Sequence, residues 1–211
     1  MRLLSSAIIL VLCVIAVGRG WNIAGFAEAE ARVATRGGDV EVVRRWVGVP
    51  GLSGPALAVI VAREGRIGSP EASEARSDDL ARLLSLRPLA SADWLALAAV
   101  RLEAGKPTPA VEAALTMSWL TGPNEGSIMW RRAVFGILHW DALSPDAHNR
   151  IVADLAGSVV GHAASGEDFT LAGRLLSRQP QAMRLTVTEK LRAAGVSEAD
   201  LEKLGLPGDH G

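Results

Sequence analysis

DWLALAAVRLEAGKPTPAVEAALTMSWLTGP, residues 93–123, decides the fold. Its first part is an apolar, Ala/Leu-rich run that ends at Gly105, a residue free to take the left-handed conformation that closes a helix. Three residues later Thr108-Pro109 offers an N-cap followed by proline at the first helical position, where its missing N–H costs nothing. The stretch therefore predicts two helices, near 91–104 and 109–120, joined too tightly to be anything but antiparallel neighbours.

The same punctuation runs outward in both directions. Ser144-Pro145-Asp146 repeats the cap and adds a carboxylate in the first turn, where it meets the helix dipole. Ser165 with Asp168 and Ser197 with Asp200 have the spacing of a shortened capping box. Gly37-Gly38, Gly195 and Gly205 are further stops. Helices are expected near 22–36, 40–47, 55–64, 70–86, 91–104, 109–120, 126–140, 145–160, 167–178, 181–194 and 198–204. Residues 57–62, LAVIVA, also suit a buried strand, but no partner strand is apparent and they are read as helix. The fold class expected is all-α: antiparallel helix pairs in one body, residues 22–211, behind an N-terminal segment, 1–21.

Residues 93–123 resemble a tetratricopeptide unit, a helix pair of about 34 residues. Trp94, Leu97 and Ala98 stand at the W-x2-L-G positions, with Ala for Gly. Ala110 matches a small packing position, and Pro123 lies within one residue of the closing proline. Arg101 and Ala114 depart from the pattern, each standing where an aromatic is usual. The resemblance implies a short TPR-like α-α stack; the alternative is an irregular helical bundle.

Composition agrees with helices. Hydrophobic residues make up 49% of the chain, but aromatics only 4% and tyrosine is absent. A core of Ala, Leu and Val suits close helix packing better than a sheet. A net charge of −1 gives no general attraction to nucleic acid. The one cysteine, Cys13, lies in the N-terminal apolar run, which excludes a disulfide framework and a cysteine metal site, and Leu12 before it argues against lipidation. Arg2 is followed by sixteen uncharged residues, Leu3 to Gly18, before Arg19 and Trp21. That length fits a short signal anchor extended by a snorkelling arginine and an interfacial tryptophan. A cleaved signal peptide ending near Ala16-Val17-Gly18 is the alternative. Either way the body is expected on the far side of a bacterial inner membrane, in the periplasm.

On the 126–140 helix, Trp130, Ala133, Val134, Ile137 and Leu138 fill one apolar arc. Glu125, Arg132 and His139 recur every seven residues, drifting about 20° each, and form a narrow polar seam beside Gly136. As a site, Asn124, Glu125, Arg132, Gly136 and His139 would make a groove for an acidic or sugar-like group, with Arg132 as anchor. The plainer alternative is that Asn124 caps the helix while Glu125 and Arg132 line its wet side. Arg44-Arg45-Trp46 is a second basic cluster, and Trp119, Trp130 and Trp140 are candidates for sugar stacking or for core.

Catalytic signatures are lacking. His139, His148 and His162 have no metal-ligand spacing, and there is no HExxH, GxSxG, P-loop or GxGxxG. Ser127, His139 and Asp141 supply triad residue types without a nucleophile elbow, and Glu125 with Asp141 or Asp146 has no evident reason to converge. The chain is not expected to be an enzyme, and no cofactor or metal is expected.

PLASADWLALAAVRLEAG (88–105) and ALTMSWLTGPNEGSIMWRRAVFGILHWDALSP (114–145) resemble small, N-terminally anchored helical proteins found in rhizobia and related bacteria alongside polysaccharide polymerisation and export systems. The resemblance covers roughly residues 85–160. Its most specific part is the LTGPNEG turn (120–126) followed by Met129, Arg132, Phe135 and Gly136. It implies a membrane-anchored periplasmic adaptor that contacts polymerase or export proteins, and carries over no catalytic residue. An envelope glycan-binding protein or enzyme using the 124–139 seam is the alternative.

Overall fold

The computed structural model describes residues 2–36, 39–64, 70–161 and 163–206. Among them there is no strand, and eleven α-helices follow in order: α1 Arg2–Arg36, α2 Glu41–Arg44, α3 Ser53–Glu64, α4 Pro70–Leu86, α5 Ser91–Glu103, α6 Thr108–Thr121, α7 Gly126–Leu138, α8 Pro145–Val160, α9 Gly166–Ser177, α10 Gln181–Ala193 and α11 Glu198–Lys203. The chain is all-α. Residues 57–62 lie within α3, and α7 gives way to a 3-10 turn, Trp140–Ala142, instead of running to 140. Two compact units divide the chain, residues 1–87 and 88–211, a division that falls within the 22–211 stretch read as one body.

In the first unit the apolar N-terminal segment and the helix expected at 22–36 are one uninterrupted element, α1. From Ile8 to Ile23 its large apolar side chains are more than half exposed, Trp21 at 80%. A helix apolar on all sides has no protein face to bury, and this one is long and apolar enough to cross a bilayer. Below that run the pattern narrows to one stripe, Phe26, Ala29 and Val33, which packs on Val43, Leu52, Ala56 and Ile60. Phe26 meets Trp46 edge-on at 6.4 Å. Asp79 of α4 is buried and accepts from Arg44 Nη1 of α2 at 2.9 Å, tying the two helices together.

The second unit begins with the pair α5–α6, and α7 lies along α8 in the same way. Beyond these pairs, α7 meets α5 and α9, α8 meets α10, and α9 meets α11. Its core joins Trp130, Ala133 and Ile137 of α7 to Leu155 and Val159 of α8, Leu176 of α9, Leu191 of α10 and Leu201 of α11. Ser144, Ser165 and Ser197 each accept from the backbone N–H three residues on, and Ser165 with Asp168 completes the reciprocal box. Gly105 and Gly195 close their helices at φ 66° and 84°. Gly37-Gly38 lies outside the described residues. Thr108 is not the cap expected of it: α6 starts one residue early, after Pro107, and the Thr108 hydroxyl donates to the Ala142 carbonyl at 3.1 Å.

Candidate functional site: the Glu125, Arg132 and His139 line

The polar seam of α7 faces the α5–α6 pair. At its start Glu125 occupies the N-cap position by backbone geometry, a place expected for Asn124, which is exposed in the turn before it. The Glu125 carboxylate accepts from Ser91 Oγ at the beginning of α5, at 2.8 Å. Two turns on, Arg132 is wholly buried. Near the helix end, His139 lies within electrostatic reach of Glu103, the last residue of α5. Start meets start and end meets end, so α7 runs parallel to α5.

Arg132 is the centre of the arrangement. Its Nε and Nη2 donate to Asp154 of α8 at 2.7 and 2.9 Å, and its Nη1 to the carbonyls of Ser118 and Gly122 at 3.1 Å each. Gly122 directly follows α6, and the Ser118 carbonyl, in the last turn of that helix, also accepts from the Gly122 N–H at 3.1 Å. Trp119 Nε1 donates to the same Asp154 carboxylate at 2.6 Å, and Ser118 Oγ donates to the Ser91 carbonyl at 2.9 Å. The guanidinium of Arg150 covers the Trp119 ring at 5.2 Å from its centroid. One buried cation, one buried anion and the polar groups around them are mutually satisfied, as low-dielectric surroundings require.

At Arg132 this corrects both readings of the seam, while Glu125 is exposed as the plainer one expects. Arg132 lies neither in an open groove nor on a wet helix side. A wheel of α7 alone shows Arg132 off the apolar arc; it does not show that α6 and α8 close over that side. Gly136 is a close approach, but Ile151 fills it: a Cβ there would sit 2.1 Å from Ile151 Cδ1. The apolar arc also changes at its edge, where Leu138 is 51% exposed while Trp130, Ala133 and Ile137 are core. Sequence reading missed Asp154, Ser118 and Ser91. Asp154 did leave a signal, a carboxylate on the stripe Ile151, Leu155 and Val159, where only a paired charge is tolerated.

His139 is exposed at the end of α7 and rests against the Phe135 ring, centroids 4.9 Å apart. Loss of water on that side lowers its pKa from the ordinary 6.5, and the Glu103 carboxylate opposes the shift. The remaining candidates do not assemble. Ser127 is twelve residues from His139 along one helix, about 18 Å of rise, so no triad forms. Glu125 is separated by the length of α7 from Asp141 and from Asp146. His148 stacks on Trp140 at 3.7 Å, with its Nε2 2.8 Å from the Trp140 carbonyl. His162 lies outside the described residues. Among the described residues no group of three His, Cys, Asp or Glu side chains is placed to hold a metal. Trp130 is core and Trp119 is engaged by Asp154 and Arg150. Of the second basic cluster, Arg44 pairs with Glu41 and Asp79, and Arg45 lies over Trp46.

No protein-family model, no curated protein and no solved structure matches this chain.

Proposed function

We propose that the chain is a membrane-anchored helical adaptor. In this reading α1 crosses the bacterial inner membrane once, and the rest of the chain stands in the periplasm. There α5 to α11 form a short TPR-like stack that holds a protein of the surface-polysaccharide polymerisation or export machinery. The observation that carries the reading is the continuity of α1: an uncovered apolar run passes without a break into the stripe that packs on α2 and α3 within the first unit. That continuity favours a retained anchor over a cleaved signal peptide. The helix pairing supports the stack, since α5, α7, α9 and α11 meet in succession and α8 meets α10. Arg132 and Asp154 are spent on holding helices together, which leaves the outer helix faces as the binding surface. The polysaccharide assignment rests on the resemblance over residues 85–160.

The test is a deletion strain complemented with the full chain, or with a version whose residues 3–18 are replaced by a cleavable signal sequence. Loss or shortening of surface polysaccharide on deletion, rescued only by the anchored form, is the expected outcome, together with crosslinking of that form to a polymerase or export subunit. Unaltered polysaccharide in the deletion strain would overturn the assignment.

A further inference from the structure

We propose that the crevice between α1 and the turn at residues 49–52 binds the phosphate of an anionic phospholipid headgroup. The proposal rests on the reading of α1 as a membrane span. The crevice is lined by Arg19, Asn22 and Ile23, which share one face of α1, and by Pro50, Gly51 and Leu52 opposite them. Neither the Arg19 guanidinium nor the Asn22 amide has a partner among the described residues. The opposing wall is a type II turn: Leu52 N–H donates to the Val49 carbonyl at 3.0 Å, Pro50 fixes the first corner and Gly51 takes the second at φ 85°. That bond uses the Leu52 N–H and leaves the Gly51 N–H, in the crevice wall, outside it.

The position of the crevice identifies its occupant. Sixteen uncharged residues, Leu3 to Gly18, rise about 24 Å as a helix, short of the roughly 30 Å of bilayer hydrocarbon. Arg19 therefore stands at the hydrocarbon edge, where a cation with no protein partner reaches for the negative layer of lipid phosphates. Trp21, 80% exposed, is placed at the same level for the interfacial belt. Arg19 and Asn22 line one side of the crevice with polar side chains able to donate, while Ile23, Pro50 and Leu52 give apolar walls suited to glycerol and the first acyl methylenes. The same donors would accept free phosphate, but only a lipid also uses the apolar walls and the exposed run above.

The full chain is incorporated into phosphatidylcholine vesicles with and without phosphatidylglycerol, floated, extracted in mild detergent and analysed for retained lipid by native mass spectrometry. Flotation with both vesicles and preferential retention of phosphatidylglycerol are expected. Arg19→Gln should lower that retention about fivefold. Arg19→Lys should keep most of it, and Arg131→Gln, on an exposed arginine of α7, should leave it unchanged. Equal retention of the two lipids, or no effect of Arg19→Gln, overturns the headgroup site while leaving the span intact. Displacement of the lipid by inorganic phosphate reassigns the crevice to free phosphate and overturns the lipid proposal. Failure to float overturns the span and the proposal together.

Discussion

Arg132 of α7 and Asp154 of α8 meet through two parallel N–H···O bonds of 2.7 and 2.9 Å, with 0% and 6% of their side chains exposed. Removing one partner of such a pair strands a charge in the interior, whereas replacing both with apolar groups need not be costly. Arg132→Ala is expected to lower unfolding stability by about 3–5 kcal/mol. The double variant Arg132→Met with Asp154→Leu should recover much of the loss, less what the freed Gly122 carbonyl and Trp119 N–H cost; the Ser118 carbonyl keeps the Gly122 N–H. Urea unfolding of the full chain in detergent measures both. A single variant no less stable than wild type would show that the cluster does not hold α6, α7 and α8 together. Loss of partner binding in Arg132→Ala alone would therefore report on the fold before it reports on any surface.

Gly136 gives a sharper test of the same helix contact. A methyl group added there meets Ile151 at Cδ1, Cγ1 and Cγ2, at 2.1, 2.5 and 2.7 Å, and the β-branched side chain has little freedom to withdraw. Gly136→Ala should destabilise by about 1–3 kcal/mol through overpacking. Ile151→Ala removes all three opposing atoms but opens a cavity when made alone. The double variant should be more stable than the sum of the two single losses, by coupling that a thermal-unfolding mutant cycle reads directly. Strict additivity would place the two residues out of contact.

How much of this was legible follows from the range of each interaction. Helix ends were readable because caps are local: Ser165 finds Asp168 three residues away, and Gly105 needs nothing beyond its own backbone. Arg132 was legible as a special residue and misplaced as to surroundings, because its partners are 10 to 22 residues away on two other helices. The seven-residue recurrence of Glu125, Arg132 and His139 was a true geometric relation, misread at its middle member. It marks the side of α7 that meets α5 and α6, where Arg132 is closed off from water while Glu125 and His139 stay exposed at the two ends. The crevice at Arg19 was invisible for the same reason, since its second wall is a turn thirty residues away with no helical periodicity.

The reciprocal cap at the start of α9 carries a modest prediction. Ser165 Oγ accepts from Asp168 N–H at 3.3 Å, and Asp168 accepts from Ser165 N–H at 2.7 Å. Ser165→Ala should cost about 1 kcal/mol, with faster amide hydrogen exchange confined to the first turn of α9. Asp168→Ala should give a similar pattern, since each residue satisfies a donor of the other. Unchanged exchange in both variants would mean that packing of Phe169 and Ala172 holds the turn without the box.

His139 makes the folded chain sensitive to mild acid in a defined direction. Its pKa lies below the ordinary 6.5 because the folded state takes water from the ring, with Glu103 partly offsetting this. As pH falls through 6.5 the unfolded chain gains the proton first, so the unfolded state binds more protons and stability decreases. The loss is absent well above 6.5, accumulates down to the folded-state value, and changes no further below it. His139→Gln should remove this part of the slope. Glu103→Gln should move the His139 midpoint lower still, by taking away the charge that favours the protonated ring. NMR titration of the His139 Cε1–H in wild type and in Glu103→Gln measures both midpoints; a wild-type midpoint at or above 6.5, or an upward shift in the variant, would reverse the assignment of desolvation as the governing effect.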